Sequence, residues 1–167
     1  MPQRPGIFVI GGGGREHALV WHLARAHPGV PLYCAPGNPG VAALATCLPI
    51  PATDIAALAD AAASIAARLT IVGPEAPLVG GIVDAFRARS LPIVGPTAAA
   101  ARLEGSKVFA KDLMRRYGIP TAVHRAFDDP ASALAYLRHI NGGVVVKAAT
   151  SEERTSWTST PRRPGTS

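Results

Sequence analysis

The sequence predicts an α/β fold built on a parallel sheet. Short apolar runs alternate with longer Ala-rich segments of helical period, and Gly and Pro punctuate the ends of the runs. In addition, Ile71-Val72-Gly73-Pro74 recurs as Ile93-Val94-Gly95-Pro96, each copy a strand end, a break and a new helix. Equivalent breaks belong on the same edge of the sheet.

Taken in order, Ile7-Phe8-Val9-Ile10 reads as the first strand. Arg15 to Ala26 reads as the first helix, with Ala18, Leu19, His22 and Leu23 on one face and Pro28-Gly29 as the stop. Val30 to Ala35 is the second strand, Asp54 to Arg68 the second helix, and Leu69 to Val72 the third strand. Pro77 to Arg89 follows as a helix with Pro near its start, then Leu91 to Val94 as a fourth strand, with Thr97 placed to cap the helix after it. Val144-Val145-Val146 has the character of a buried strand, and it ends on Lys147. A cation there is expensive to bury unless an anion meets it.

Composition narrows the functional classes. With 48% hydrophobic residues but only 5% aromatic, the 167-residue chain supports a core made mainly of Ala, Val, Leu and Ile. The net charge of +6 is spread along the chain without interleaved aromatics, so no nucleic-acid surface is expected. Cys34 and Cys47 have no Cys or His pair nearby at metal-ligand spacing, and they read as free thiols in a reducing compartment. The start MPQRPG is too short for a secretory signal, and no apolar run reaches membrane-spanning length, so a cytoplasmic chain without a membrane partner is expected.

The densest chemistry follows the first strand. Gly11-Gly12-Gly13-Gly14 between a strand and a helix lets backbone amides approach an oxyanion, and the helix N-terminus adds partial positive charge. Arg15 is placed to add a charge-assisted bond. The run departs from a dinucleotide fingerprint, because Glu16 stands where a third glycine belongs and no acidic residue follows about twenty positions later. Beside the loop, Glu16 reads as a ligand contact and His17 as a histidine packed against the sheet. Gly73-Pro74-Glu75 and Gly95-Pro96-Thr97 should share the cleft beyond the carboxyl ends of the strands.

Five segments, "VIGGGGREHAL", "APGNPG", "IVGPEAPLVGGIVDAF", "PIVGPTAAAARLEGSKVFAK" and "VVVKA", together resemble the N-terminal portion of the phosphoribosylamine-glycine ligases, also called glycinamide ribonucleotide synthetases, of the ATP-grasp class. The resemblance runs from about Ile7 to Ala148. It implies a pre-ATP-grasp, Rossmann-like domain over residues 1–104, the start of an incomplete ATP-grasp subdomain over 105–148, and a tail outside the family over 149–167. The family joins glycine to 5-phosphoribosylamine in purine synthesis, activating glycine as an acyl phosphate with ATP. The resemblance therefore implies ATP and Mg2+ (or Mn2+) as cofactors of the full-length family, and phosphoribosylamine, glycine and ATP as small-molecule partners. It assigns Gly11, Gly12, Gly13, Gly14 and Arg15 to the phosphoribosyl group, Glu16 and Glu75 to polar acceptor roles, and Asn38 to the border of that site. Lys107 and Lys147 are assigned to the ATP phosphates, whereas Lys111 reads as a solvated lysine. No catalytic residue and no metal ligand is assigned within the chain.

After Lys147 the family continues with a glycine-rich loop like Ala-Asp-Gly-Leu-Ala-Ala-Gly-Lys-Gly, of which only Ala148 is kept. Residues 148–167 hold nine Ser or Thr and no Val, Ile, Leu, Met or Phe. Such a segment is expected to be disordered. The expectation is an N-terminal fragment of the ligase that keeps a phosphoribosyl cleft and lacks catalysis alone. The alternatives are a non-catalytic phosphoribosyl-binding or interaction module, and the N-terminal domain of another ATP-grasp carboxylate-amine ligase.

Overall fold

A computed structural model describes residues 5–140 and 142–147. The chain divides into two compact units, Met1–Arg102 and Leu103–Ser167. The expectations for residues 148–167 lie outside the described residues.

The first unit is a parallel α/β sheet. Its strands are β1 (Ile7–Gly11), β2 (Leu32–Pro36), β3 (Thr46–Cys47), β4 (Leu69–Val72) and β5 (Ile93–Val94), in the spatial order β3-β2-β1-β4-β5. Every pairing is parallel, with Ile7 opposite both Leu32 and Leu69. Because strand side chains alternate, Phe8 and Ile10 enter one apolar layer while Ile7 and Val9 enter the other. Both faces must be covered, and the intervening segments do this.

On one face lie α1 (Gly14–Ala26) and α2 (Pro39–Ala42), which contribute Val20 and Val41 to the layer around Val9 and Cys34. The other face is packed by α3 (Ile55–Ser64), α4 (Glu75–Val79), α5 (Ile82–Ala88) and α6 (Ala98–Gly105), through Leu58, Leu78, Phe86 and Ala101 among others. Phe8, Ile10, Leu58, Ile82 and Phe86 are fully buried. A buried Leu, Ile or Phe contributes about 1.5–3 kcal/mol relative to exposure.

Several elements differ from expectation. In α1 the apolar face is turned: Ala18 and His22 are exposed, whereas Glu16 and Val20 are buried. The helix expected over residues 77–89 is two helices, broken where Gly81 takes a left-handed conformation at φ 89°. The second strand starts at Leu32, since Pro31 has no amide to give the ladder and offers only its carbonyl, to Ile7. Capping of α6 comes from across the turn, with Asp84 Oδ2 accepting the Ala98 amide at 2.9 Å, while Thr97 contributes its backbone carbonyl to Ala101. Two elements were not anticipated: α2, a single turn capped by Asn38, and the two-residue β3.

Among its described residues the second unit holds α7 (Lys107–Arg116) and α8 (Pro130–Leu137). Ser106 caps α7 through Phe109, and Asp129 caps α8 through Ser132. The Phe127 and Tyr136 rings meet at 5.3 Å, and Arg125 lies over Tyr136. The strand expected at Val144–Val146 is not formed, and Val145 is 79% exposed. An isolated apolar run has no ladder to join, for the described residues of this unit contain no strand to pair with it.

Candidate functional site

The carboxyl end of β1 is where the loops of the first unit converge. The Gly37 amide donates to the Gly11 carbonyl at 3.1 Å, and the Gly73 amide donates to the Ile10 carbonyl at 3.0 Å. The Cys34 thiol donates to the same Gly11 carbonyl at 3.3 Å. The turns after β2 and β4 are thereby fixed to the glycine loop after β1, on one edge of the sheet.

The four glycines are not equivalent. Gly11 has φ 129°, and a Cβ there would stand 2.6 Å from Glu16 Cγ. At Gly12 a Cβ would stand 2.6 Å from the Gly37 carbonyl oxygen. Both positions are closed to a side chain by the fold itself. By contrast, Gly13 adopts an ordinary extended backbone at φ −88°, and a Cβ on it would meet only Glu16 Oε2, at 3.0 Å. A Cβ on Gly14 would meet nothing within 4 Å. Gly14 thus leaves open space above the first turn of α1. There His17 makes the first helical bond, to Gly13, and leaves the amides of Gly14, Arg15 and Glu16 without an intrahelical acceptor.

The side chains around the loop hold it in shape. Asn38 bridges two turns: its Oδ1 accepts the Val41 amide at 3.0 Å and its Nδ2 donates to the Gly12 carbonyl at 3.0 Å. Arg15, expected to reach toward a ligand, donates from Nη1 to the Gly73 carbonyl at 2.9 Å. Glu16, expected to face a ligand, is only 5% exposed and accepts the Gly13 amide at 2.7 Å. His17 packs against Gly40 in α2. Glu75 opens α4 two residues beyond Gly73 and is partly exposed at the same edge.

Sequence reasoning brought Gly11 to Glu16, Asn38 and Glu75 to one edge, and there they lie. It missed the bracing bonds of Arg15, Asn38 and Cys34, whose partners are backbone atoms 58, 26 and 23 positions away. The bonds of the Gly95–Thr97 turn run elsewhere: a Cβ on Gly95 would press on Leu78 and Val83, so that glycine serves packing. In the second unit, Lys107 is exposed at the first position of α7 and Lys147 is exposed. Lys111 is not a free surface lysine, since its Nζ donates to Thr121 Oγ1 and to the Ala122 carbonyl.

Burial, with the nearby charges of Cys47 and Glu16, pushes the Cys34 thiol up to about 11. It is therefore a neutral donor to Gly11 at physiological pH. Among the described residues, no group of three or more His, Cys, Asp or Glu is placed to hold a metal ion, and no helix is long and apolar enough to cross a membrane.

Comparison with known proteins bears on this site. A family model for the phosphoribosylglycinamide synthetase N domain matches residues 6–104, and one for the ATP-grasp (A) domain of the same synthetase matches residues 105–152. The phosphoribosylamine-glycine ligase of Yersinia pestis is 54% identical over 144 residues, covering 85% of this chain and 34% of the relative. The chain thus spans about a third of the length of the curated relatives it matches. The crystal structure of phosphoribosylamine-glycine ligase from Thermotoga maritima superposes with a TM-score of 0.64 at 26% identity, over 90% of this chain and 34% of that one. An N5-carboxyaminoimidazole ribonucleotide synthetase from Thermus thermophilus shares the fold, with a TM-score of 0.61 at 20% identity over 81% of this chain and 36% of that one.

Proposed function

From the premise that this chain belongs to the phosphoribosylglycinamide synthetase family and corresponds to its N-terminal third, we propose that its first unit is the phosphoribosyl seat of an ATP-dependent ligase joining glycine to 5-phosphoribosylamine. The observation that carries this is the division among the four glycines. Gly11 and Gly12 are demanded by the fold and Gly13 is crowded by Glu16, but Gly14 is not, and a missing side chain that packing does not require is explained by a ligand that must come close to the backbone.

In this reading the 5-phosphate lies over the first turn of α1, against the amides of Gly14 and Arg15. The helix terminus contributes about 0.3–1 kcal/mol, more where it is partly buried. Glu75, at the neighbouring strand end, accepts from the sugar hydroxyls or the amine. Asn38 and Arg15 hold the loop from either side through their backbone contacts, so neither needs to touch the ligand to matter.

We assign Lys107 and Lys147 to the phosphates of ATP, as exposed cations in the part of the chain matched by the ATP-grasp model. When bound, Mg2+ would neutralise the transferring phosphoryl group, but the described residues offer no cluster to hold it, and no ligand for it is assigned here. The two free cysteines agree with work in a reducing cytoplasm.

Ribose 5-phosphate is the direct probe of the seat. It should raise the melting temperature of the 167-residue chain when present well above its dissociation constant. Gly14→Val should keep the ligand-free melting temperature, since a Cβ there meets nothing, and should remove the ribose 5-phosphate shift. A wild-type chain indifferent to saturating ribose 5-phosphate would sink the proposal.

A further inference from the structure

We propose that Glu16 is a positioning residue of this seat, acting on the ligand only through the Gly13 turn and the β4 loop. The inference rests on the phosphoribosyl reading above and deepens it. Glu16 is the third residue of α1, and its side chain turns back toward the sheet and not out toward the space over Gly14. With 5% exposure and Oε2 fixed 2.7 Å from the Gly13 amide, it is withdrawn from a ligand lying above the helix terminus.

What it does instead is occupy the space of two absent side chains. A Cβ on Gly11 would stand 2.7 Å from Glu16 Cδ, and one on Gly73 would stand 2.5 Å from the same carbon and overlap Oε1. The carboxylate is therefore wedged between the loop after β1 and the loop after β4. From the adjacent position, Arg15 Nη1 holds the Gly73 carbonyl at 2.9 Å. Together these two residues set the distance between the glycine turn that would take the phosphate and the strand end that carries Glu75.

Electrostatics agree with a wedge better than with a contact. A fixed carboxylate beside an anion seat repels phosphate, so the charge works against affinity and the geometry works for it. Glutamine at this position keeps the length and an acceptor for Gly13 while removing the charge. Alanine removes the wedge.

The test compares Glu16→Gln and Glu16→Ala in the full chain, using ribose 5-phosphate and inorganic phosphate as probes. Glu16→Gln should bind both at least as well as wild type. Glu16→Ala should weaken both by the same factor, about tenfold or more, as misplacement of the seat by a fraction of an ångström would. A ligand-free readout accompanies this: the Gly13 amide proton should resonate downfield and exchange slowly in wild type and in Glu16→Gln, and lose both properties in Glu16→Ala. Gly73→Ala should be strongly destabilising beside Glu16 and much less so in the Glu16→Ala background, as expected of groups in contact.

A Gly13 amide unchanged in Glu16→Ala would overturn the proposal. So would a loss confined to ribose 5-phosphate with phosphate unaffected, which would make Glu16 a sugar contact. Failure of wild type to bind either probe would instead sink the phosphoribosyl reading, while the Gly13 amide and the Gly73 coupling would still decide the role of Glu16.

Discussion

Cys34 illustrates how single residues support the site without touching a ligand. Its side chain is fully buried on the β2 strand, and its thiol donates to the Gly11 carbonyl. Because its folded pKa of about 11 lies above the ordinary 9.0, the folded state holds the proton longer than the unfolded chain. The associated stability is fully present below about pH 9 and is lost as pH rises toward 11, by on the order of 2 kcal/mol in all. Urea titrations at pH 8 and pH 10.5 should show this loss, and Cys34→Ala should flatten the slope. At pH 8, iodoacetamide should label half-buried Cys47 in the native chain and reach Cys34 only on unfolding. Equal labelling of the two would contradict the packing described for β2. The sequence gives no warning of this role, because a thiol's hydrogen bond to a carbonyl 23 positions away leaves no local pattern.

At the scale of elements, most strands and helices were legible, and the misses have physical causes. Strands β1 and β4 stand close to where apolar runs put them, since both faces of a central parallel strand must be apolar. The expected 77–89 helix failed at Gly80-Gly81, two glycines inside an otherwise periodic run, where backbone freedom allowed a left-handed turn that periodicity cannot reveal. Gly81→Ala should therefore destabilise the first unit by about 1 kcal/mol, read as a fall in the denaturation midpoint. A stabilised variant would mean that the two helices tolerate fusion. The α1 face was misjudged because Glu16, a charged residue, was not counted as an inward position. Its bond to the Gly13 amide is what permits it to be one. Likewise β3 is too short to announce itself, being two residues held by pairing with Tyr33 and Cys34. For the candidate site, the glycines and carboxylates were readable from their places at or beside strand ends and Asn38 only through the family resemblance, but the bracing roles depend on contacts between distant turns.

For the whole molecule, burial is distributed unevenly between the two units. Every buried core residue of the described chain falls in the first, whereas α7 and α8 have none. Hydrogen exchange should follow this division, with amides of Phe8 to Ile10, Cys34 and Ala35 among the slowest, and those of α7 and α8 far faster. Comparable protection in both units would require a buried core for α7 and α8, and neither helix has a fully buried residue. Expectation and structure diverge most at Val144 to Val146, where a strand was read from hydrophobicity alone. Apolar character marks what a segment can bury, but pairing decides whether it becomes a strand.

The strand order has a consequence for how such a chain comes into being. The central strand β1 is made first, yet its two neighbours are β2 and β4, and the Arg15 bond that closes the seat reaches Gly73, 58 residues later. During synthesis, the glycine turn leaves the ribosome long before the segment that braces it. At about 5–20 residues per second, several seconds pass in which β1, apolar on both faces, has no β4 beside it. Loop closure over that separation comes before any reward from the contact, so the seat matures only after β4 has joined the sheet, well after its own glycines are made. A nascent chain shorter than about 75 residues should bind no phosphate, however complete its four glycines.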